Sequence, residues 1–333
     1  MLNIGIIGFG KMGKIRVDTI ESLRLGNITA IYEPSEDVPE KYHSVNHVND
    51  IFNDSTIDVV FVCTPNKFNK EYTIRALDEK KHVFCEKPPA FMASDINEII
   101  DAENRSNCRL MYGFNHRHHE SIMEMKRLVE NNDFGKILWM RGRYGKSVDQ
   151  TFYENWRSNV NESGGGILMD QGIHMLDLFL HLSGEFDQSH AFLSNLYWKL
   201  PVEDNAFVIL KNSESGTVAS LHSTMTQWRH LFSLEVFLEK GYMVLNGLKT
   251  SSNTYGNEVL TIAKNRSTAP AATWEDEEHT TYTTDKSWEN ELIHFFDAIH
   301  QNKPILTGNS ADALKLMTLM DNIYAHEKKG ALT

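Results

Sequence analysis

Leu2-Asn3-Ile4-Gly5-Ile6-Ile7 runs straight into Gly8-Phe9-Gly10-Lys11-Met12-Gly13. A short apolar strand thus meets a G-x-G-x-x-G turn at the mouth of a helix. Each glycine has a physical reason if the turn cradles a pyrophosphate. Gly8 permits the tight turn, Gly10 lets the backbone approach the phosphates, and Gly13 lets the helix pack closely on the strand. The helix N-terminus then aims backbone N–H groups at the anion. A glycine-rich turn also serves a plain strand–helix junction, so the rest of the chain must decide.

Working outward, strand and helix patterns alternate through the first 120 residues. The strands read as Asn3 to Ile7, Ile28 to Tyr32, Ile57 to Val62, His82 to Cys85 and Arg109 to Tyr112. Helices read as Lys11 to Leu23, Lys70 to Asp78 and Ser94 to Ser106, with Ser94 placed to cap the last. Apolar strands alternating with helices predict a parallel, doubly wound sheet with right-handed crossovers, an α/β fold.

Beyond residue 120 the pattern changes. A helix from Ser121 to Asn131 leads to a strand from Ile137 to Tyr144, and another helix spans Met169 to Leu182. Strand-like runs follow at Ala191 to Tyr197, Ala206 to Lys211, Thr217 to Met225, Leu231 to Leu238 and Tyr242 to Leu245. Turn signals such as Lys240-Gly241 separate them. This predicts an α+β domain with an open, mostly antiparallel sheet. Asn265 to Asp285 reads as a polar loop or exposed hairpin, and helices at Ser287 to Gln301 and Ser310 to Glu327 close the chain. The expected domains are 1–119, which binds a dinucleotide, and 120–333, for substrate and oligomerisation, with the C-terminal helix able to pack back on the first.

Composition narrows the function. The formal net charge is −12, which speaks against nucleic acid as a partner. No apolar run approaches the roughly 18 residues of a membrane helix. The N-terminus enters a strand without a basic leader, so a cytoplasmic location is expected. Cys63, Cys85 and Cys108 are widely spaced and suggest buried thiols in a reducing compartment. Asn115-His116-Arg117-His118-His119 is rich in imidazole. Adjacent residues in an extended segment face opposite ways and no ligand set accompanies them, so no metal is expected.

Three strand ends carry chemistry. Glu33 closes the second strand, twenty residues after Gly13. A carboxylate there can hold ribose hydroxyls and would repel a 2′-phosphate, favouring NAD over NADP; a solvated strand-end acid is the plainer alternative. Thr64-Pro65-Asn66 follows the third strand, where ligands of doubly wound sheets gather, although it also suits an ordinary turn. Glu86-Lys87-Pro88 follows the fourth. Lys87 could stabilise a substrate oxyanion, or be a surface lysine, and Lys87-Pro88 could be cis.

Taken together these motifs resemble the glucose–fructose oxidoreductase, inositol dehydrogenase and rhizopine catabolism (Gfo/Idh/MocA) family. The resemblance is carried, in order, by Gly8 to Gly13, Cys63-Thr64-Pro65-Asn66, His82 to Pro88, Tyr112 to Arg117 and Gly164 to Asp177. It implies a Rossmann domain holding NAD through Gly8, Phe9, Gly10, Lys11, Met12, Gly13, Glu33, Thr64, Pro65, Asn66, Glu86 and Lys87. It implies Lys87, Asp170 and His174 as catalytic residues. Positions four apart lie on one helical face, and an imidazole titrates near working pH, so His174 can accept a hydroxyl proton. Asn115 and Arg117 are placed near the cleft, as structural or substrate-side residues. Trp156 and Arg157 are either sugar contacts or packing residues. Asn69 stands where many members have histidine, which touches only a local helix-start contact. Gly164 to Gly166 could bring the helix start close to a ligand, or form a linker. The expected activity is oxidation of a secondary hydroxyl of a sugar, polyol or derivative, nucleotide-linked or not, by a homodimer or homotetramer. The alternatives are glycoside cleavage with retained NAD and a non-catalytic NAD-binding regulator.

Overall fold

The computed structural model describes residues 1–250, 252–264 and 273–330, the last four by their backbone alone. In chain order the elements begin with β1 (Leu2–Ile7), α1 (Lys11–Leu23), β2 (Gly26–Tyr32), β3 (Ser44–Val45), α2 (Val48–Asn53) and β4 (Val59–Val62). Next come α3 (Asn69–Asp78), β5 (His82–Glu86), α4 (Ala93–Ser106), β6 (Leu110–Gly113), α5 (Glu120–Glu130) and β7 (Ile137–Ser147). Then follow α6 (Val160–Ser163), α7 (Ile173–Ser183), β8 (Gln188–Ser194), β9 (Asn205–Lys211), β10 (Val218–Thr224) and β11 (Thr226–Leu238). Last are β12 (Gly241–Asn246), β13 (Glu258–Lys264), β14 (Glu278–Tyr282), α8 (Ser287–His300) and α9 (Ser310–Gly330). Among the described residues no helix is long and apolar enough to cross a membrane.

Two compact units divide these elements. The first comprises Met1–Asn115 and Ser287–Thr318; the second comprises His116–Lys286 and the chain from Leu319. The division falls at Asn115 rather than at residue 119, and α8 belongs with the first unit. The reason is its apolar face. Leu292, Phe295 and Phe296 join Ile4, Ile6, Phe61, Phe84 and Met111 in one core cluster. Phe295 meets Phe84 edge-on at 5.5 Å between centroids.

The first unit's sheet runs β3-β2-β1-β4-β5-β6, all in parallel. Val59 to Val62 are buried throughout, as a parallel strand covered on both faces requires. α1 buries Gly13, Arg16, Val17 and Ile20, a three-and-four spacing that lays one stripe on the sheet. The strand order reverses between β1 and β4, so the crevice for a ligand lies at the carboxyl ends there. α4 begins at Ala93, with Met92 rather than Ser94 in the capping position. The Asp95 carboxylate serves that end instead, accepting from the Met92 N–H at 3.2 Å.

The second unit's sheet runs β14-β13-β12-β11-β7-β10-β9-β8. β7 and β10 pair in parallel and the other neighbours antiparallel. α7 is buried on nearly every side, which suits its mostly apolar sequence. It packs against β7 at Gly142, where a Cβ would come 2.3 Å from the Met175 side chain. β13 was not expected from sequence. The polar stretch expected as Asn265 to Asp285 lies partly outside the described residues; within it, Trp274–Asp276 forms a short turn and Glu278–Tyr282 is the edge strand.

Candidate active site

The glycine turn is built as three different positions. Gly8 has φ of +93°, and a Cβ on it would sit 2.5 Å from the Cys63 carbonyl oxygen. A Cβ on Gly13 would sit 2.1 Å from the Gly8 oxygen. The fold itself demands both glycines. Gly10 is different: the nearest described atom to its Cβ position is Glu36 Oε1, at 3.8 Å. Packing does not explain a glycine there, whereas close approach by a ligand does. Among the described residues no side chain caps α1, and its first turn holds no acid. Its N–H groups are therefore available to an anion.

Glu33 reaches back to this turn. Its Oε2 accepts from the Phe9 N–H at 2.7 Å and its Oε1 from the Ser35 N–H at 2.8 Å. Each carboxylate oxygen has capacity for a second donor, which ribose hydroxyls would supply. Lys11 and Met12 open α1, beside the turn. Thr64, Pro65 and Asn66 follow β4, with Asn66 starting a short 3-10 turn. These residues fit a dinucleotide.

At the end of β5 the Lys87–Pro88 peptide is cis. Asn69 braces this turn on both sides of Lys87, its amide donating to the Pro88 carbonyl at 2.8 Å and the Glu86 carbonyl at 3.3 Å. Thr64 Oγ1 donates to Asn69 Oδ1 at 3.3 Å, tying the β4 and β5 turns together. Asn69 is fully buried. Its role is larger than the helix-start contact expected from sequence. Glu86, expected beside the cofactor, turns its carboxylate to the Arg16 Nε at 2.7 Å. Arg16 also donates to Glu291 at 2.6 Å and lies between the rings of Phe84 and Trp288. Burial opposes the Arg16 charge, but the Glu291 and Glu86 carboxylates outweigh it and hold its pKa above the ordinary value. Glu86 therefore belongs to a buried ion-pair group.

In the second unit the expected helix from Met169 is two structures. Leu168–Gly172 is a wider π-helical turn, and it runs into α7 at Ile173. Such turns recur at functional sites, and this one carries Asp170 just before His174. Glu203 closes its start. Its carboxylate accepts from the Gly166 N–H at 2.9 Å, the Leu168 N–H at 3.1 Å and the Tyr324 hydroxyl at 2.9 Å. Burial pushes the Glu203 carboxyl up, and those donors offset only part of it. The glycines here serve packing rather than forming a linker. A Cβ on Gly166 would lie 2.0 Å from the Glu203 oxygen, and one on Gly165 would lie 2.4 Å from the Tyr324 hydroxyl.

Asp170 is gripped by cations. Lys146 Nζ lies 3.0 Å from its Oδ2 and Arg157 Nε 3.3 Å from its Oδ1. Arg157 also lies over the Trp156 ring, 4.3 Å from the centroid, so the ring face is used by the guanidinium. His174 stacks on His116, with centroids 3.9 Å apart and planes 17° from parallel. His116 Nε2 is 2.9 Å from the Tyr144 hydroxyl. Arg117, expected as a structural or substrate-side residue, donates from Nε and Nη2 to Asp177 at 2.8 and 2.6 Å, a buried structural pair. The amide of Asn115 donates to Ser287 Oγ at 3.3 Å, within the first unit. Sequence reasoning missed Lys146, Glu203 and the weight of Asn69. Only the departure at Asn69 was a signal.

A six-stranded sheet of this order, with a glycine turn open to a ligand at Gly10, defines a dinucleotide-binding oxidoreductase fold. Residues 2–114 match the oxidoreductase family with an NAD-binding Rossmann fold, and residues 122–244 match the GFO/IDH/MocA C-terminal domain. The chain belongs to the Gfo/Idh/MocA family. Levoglucosan dehydrogenase of Pseudarthrobacter phenanthrenivorans is 30% identical over 65% of this chain and 60% of its own length. Myo-inositol 2-dehydrogenase of Thermotoga maritima is 24% identical over 75% of this chain and 77% of its own. A structure of levoglucosan dehydrogenase in complex with NADH and levoglucosan superposes with a TM-score of 0.85 at 23% identity. It covers 98% of this chain and 97% of that one, and shows the shared fold.

Proposed function

We propose that this chain is an NAD-dependent dehydrogenase that oxidises a secondary hydroxyl of a sugar, polyol or sugar derivative. The observation that carries the reading is the open position at Gly10, because a dinucleotide held there fixes the class of reaction. NAD, when bound, supplies the nicotinamide ring that accepts the hydride. The remaining work falls to side chains. Backbone N–H groups at the start of α1 bind the pyrophosphate and Glu33 binds the adenosine ribose. His174, its ring held by stacking on His116, takes the proton of the reacting hydroxyl. The Lys87 ammonium stabilises the oxyanion left behind. Asp170 orients the imidazole or a neighbouring substrate hydroxyl.

Measuring NADH formation across neutral and charged sugars and polyols tests this directly. Lys87→Met and His174→Ala should each lower kcat by orders of magnitude while NADH still binds. Near wild-type turnover in both would sink the assignment.

The open face of the second unit's sheet supports a homodimer or homotetramer. Trp139, Phe237 and Tyr242 stack in a row across β7, β11 and β12. Phe192, Phe207 and Ile209 on β8 and β9 are 66%, 50% and 56% exposed. An apolar patch of this kind is characteristic of a subunit contact.

A further inference from the structure

The charges around Asp170 bear on what the substrate carries, and the following rests on the dehydrogenase reading. Lys146 and Arg157 are two cations that share one carboxylate, at 3.0 and 3.3 Å. Among the described residues neither meets another carboxylate within ion-pair distance. Formally the trio has one positive charge in excess.

Its donors are in excess too. Arg157 spends Nε on Asp170, while its two terminal nitrogens have no hydrogen-bond partner among the described residues. Lys146 spends one of its three N–H bonds. The two side chains are 21% and 31% exposed, which leaves them reachable yet partly stripped of water. Each also lies over an aromatic ring, Lys146 at 5.4 Å from Phe152 and Arg157 at 4.3 Å from Trp156. The rings hold the cations in place and lower the local dielectric, which strengthens attraction for an anion. Had the pair served only to pin Asp170, one cation would have balanced it.

We propose that the substrate carries an anionic group, a carboxylate or a phosphate ester, bound by Lys146 and the terminal nitrogens of Arg157. A planar guanidinium fork matches either group, and a lysine adds a point charge beside it. Both groups offer the same chemistry, acceptor oxygens with a negative charge, to the same donors.

The test compares neutral sugars with their charged forms on the full chain. D-glucose, D-glucuronate and glucose 6-phosphate form one set, and D-galactose, D-galacturonate and galactose 6-phosphate another. Initial rates of NADH formation give kcat/KM, and calorimetry on the chain loaded with NADH gives binding without turnover. At least one anionic compound should exceed its neutral parent by about tenfold or more. Lys146→Met should weaken that anion about 10- to 100-fold in both KM and calorimetric Kd, the range of a lost hydrogen bond to a charged group. The neutral parent, which loses only the support of Asp170, should fall by much less, so that the anion-to-neutral ratio of kcat/KM drops about tenfold or more, and Lys146→Arg should keep the preference. Uronate over phosphate ester, or the reverse, identifies the group.

NADH formation with neutral sugars favoured throughout would overturn the anionic substrate and leave the dehydrogenase reading standing. Equal losses on neutral and anionic compounds in Lys146→Met would do the same, and would mark Lys146 as a positioning residue for Asp170. No NADH from any compound overturns the dehydrogenase reading and this inference with it.

Discussion

Replacing Gly10 with alanine should separate cofactor binding from folding. The added Cβ meets nothing in the described structure closer than Glu36 Oε1 at 3.8 Å, an ordinary contact. The backbone at Gly10 is extended, with φ of −66° and ψ of −161°, which alanine adopts freely. Alanine is poorer than glycine at the start of a helix by up to about 1 kcal/mol. The stiffer unfolded chain returns about 0.4–1 kcal/mol. The melting temperature should therefore move by about 2 °C or less. If the pyrophosphate crosses Gly10, the methyl group overpacks that contact, at about 1–3 kcal/mol. NADH affinity then falls by about 5- to 150-fold. Gly8→Ala is the contrasting case. It places a Cβ 2.5 Å from a backbone oxygen at φ of +93°, so it should unfold or melt far earlier. Fluorescence titration with NADH and a thermal melt read both quantities. Wild-type NADH affinity in Gly10→Ala refutes the ligand's approach at that residue, and a large loss of melting temperature refutes the space argument.

Three further outcomes follow from other residues. Asn69→Ala removes the donors to the Glu86 and Pro88 carbonyls, so kcat should fall up to about 100-fold through misplacement of Lys87, with NADH Kd nearly unchanged; unchanged kcat would make Asn69 structural only. Burial raises the Glu203 carboxyl above its ordinary value, so the stability it contributes is full below the unfolded carboxyl pKa and is lost as pH rises through the folded one. Wild type should therefore lose stability relative to Glu203→Gln as pH climbs from about 4.5, and parallel melting curves would contradict the shift. Phe207→Asp should dissociate the oligomer in light scattering, and a monomeric wild type would remove that surface from the proposal.

How much of this was legible depended on how local each cause was. Val59 to Val62 could be read because a strand covered on both faces must be apolar throughout. β14 could be read only as a loop or exposed hairpin, because an edge strand of Glu, His, Thr and Tyr lacks the alternation that marks a buried face. Glu278 to Thr281 are all exposed. The site divides in the same way. Asp170 and His174 sit four apart in one run, so the family resemblance could name them together and helical spacing agreed. Asn69 acts on carbonyls 17 and 19 residues away, and Glu203 on N–H groups 35 and 37 residues away. Neither distance leaves a trace in local composition. Glu86 and Arg117 show the same limit: their place in a motif did not reveal the buried ion pairs with Arg16 and Asp177.

The return of α8 to the first unit sets an order of events during synthesis. A growing chain that has emerged only as far as residue 286 contains the whole parallel sheet but lacks Leu292, Phe295 and Phe296 from its core. It also lacks Glu291, the second anion around Arg16. The nucleotide-binding unit, most of which is made before the second unit, thus cannot complete itself until the other unit's sheet has been made. Until then its aromatic face at Phe61 and Phe84 remains uncovered by α8, a surface on which nascent chains can aggregate or a chaperone can act.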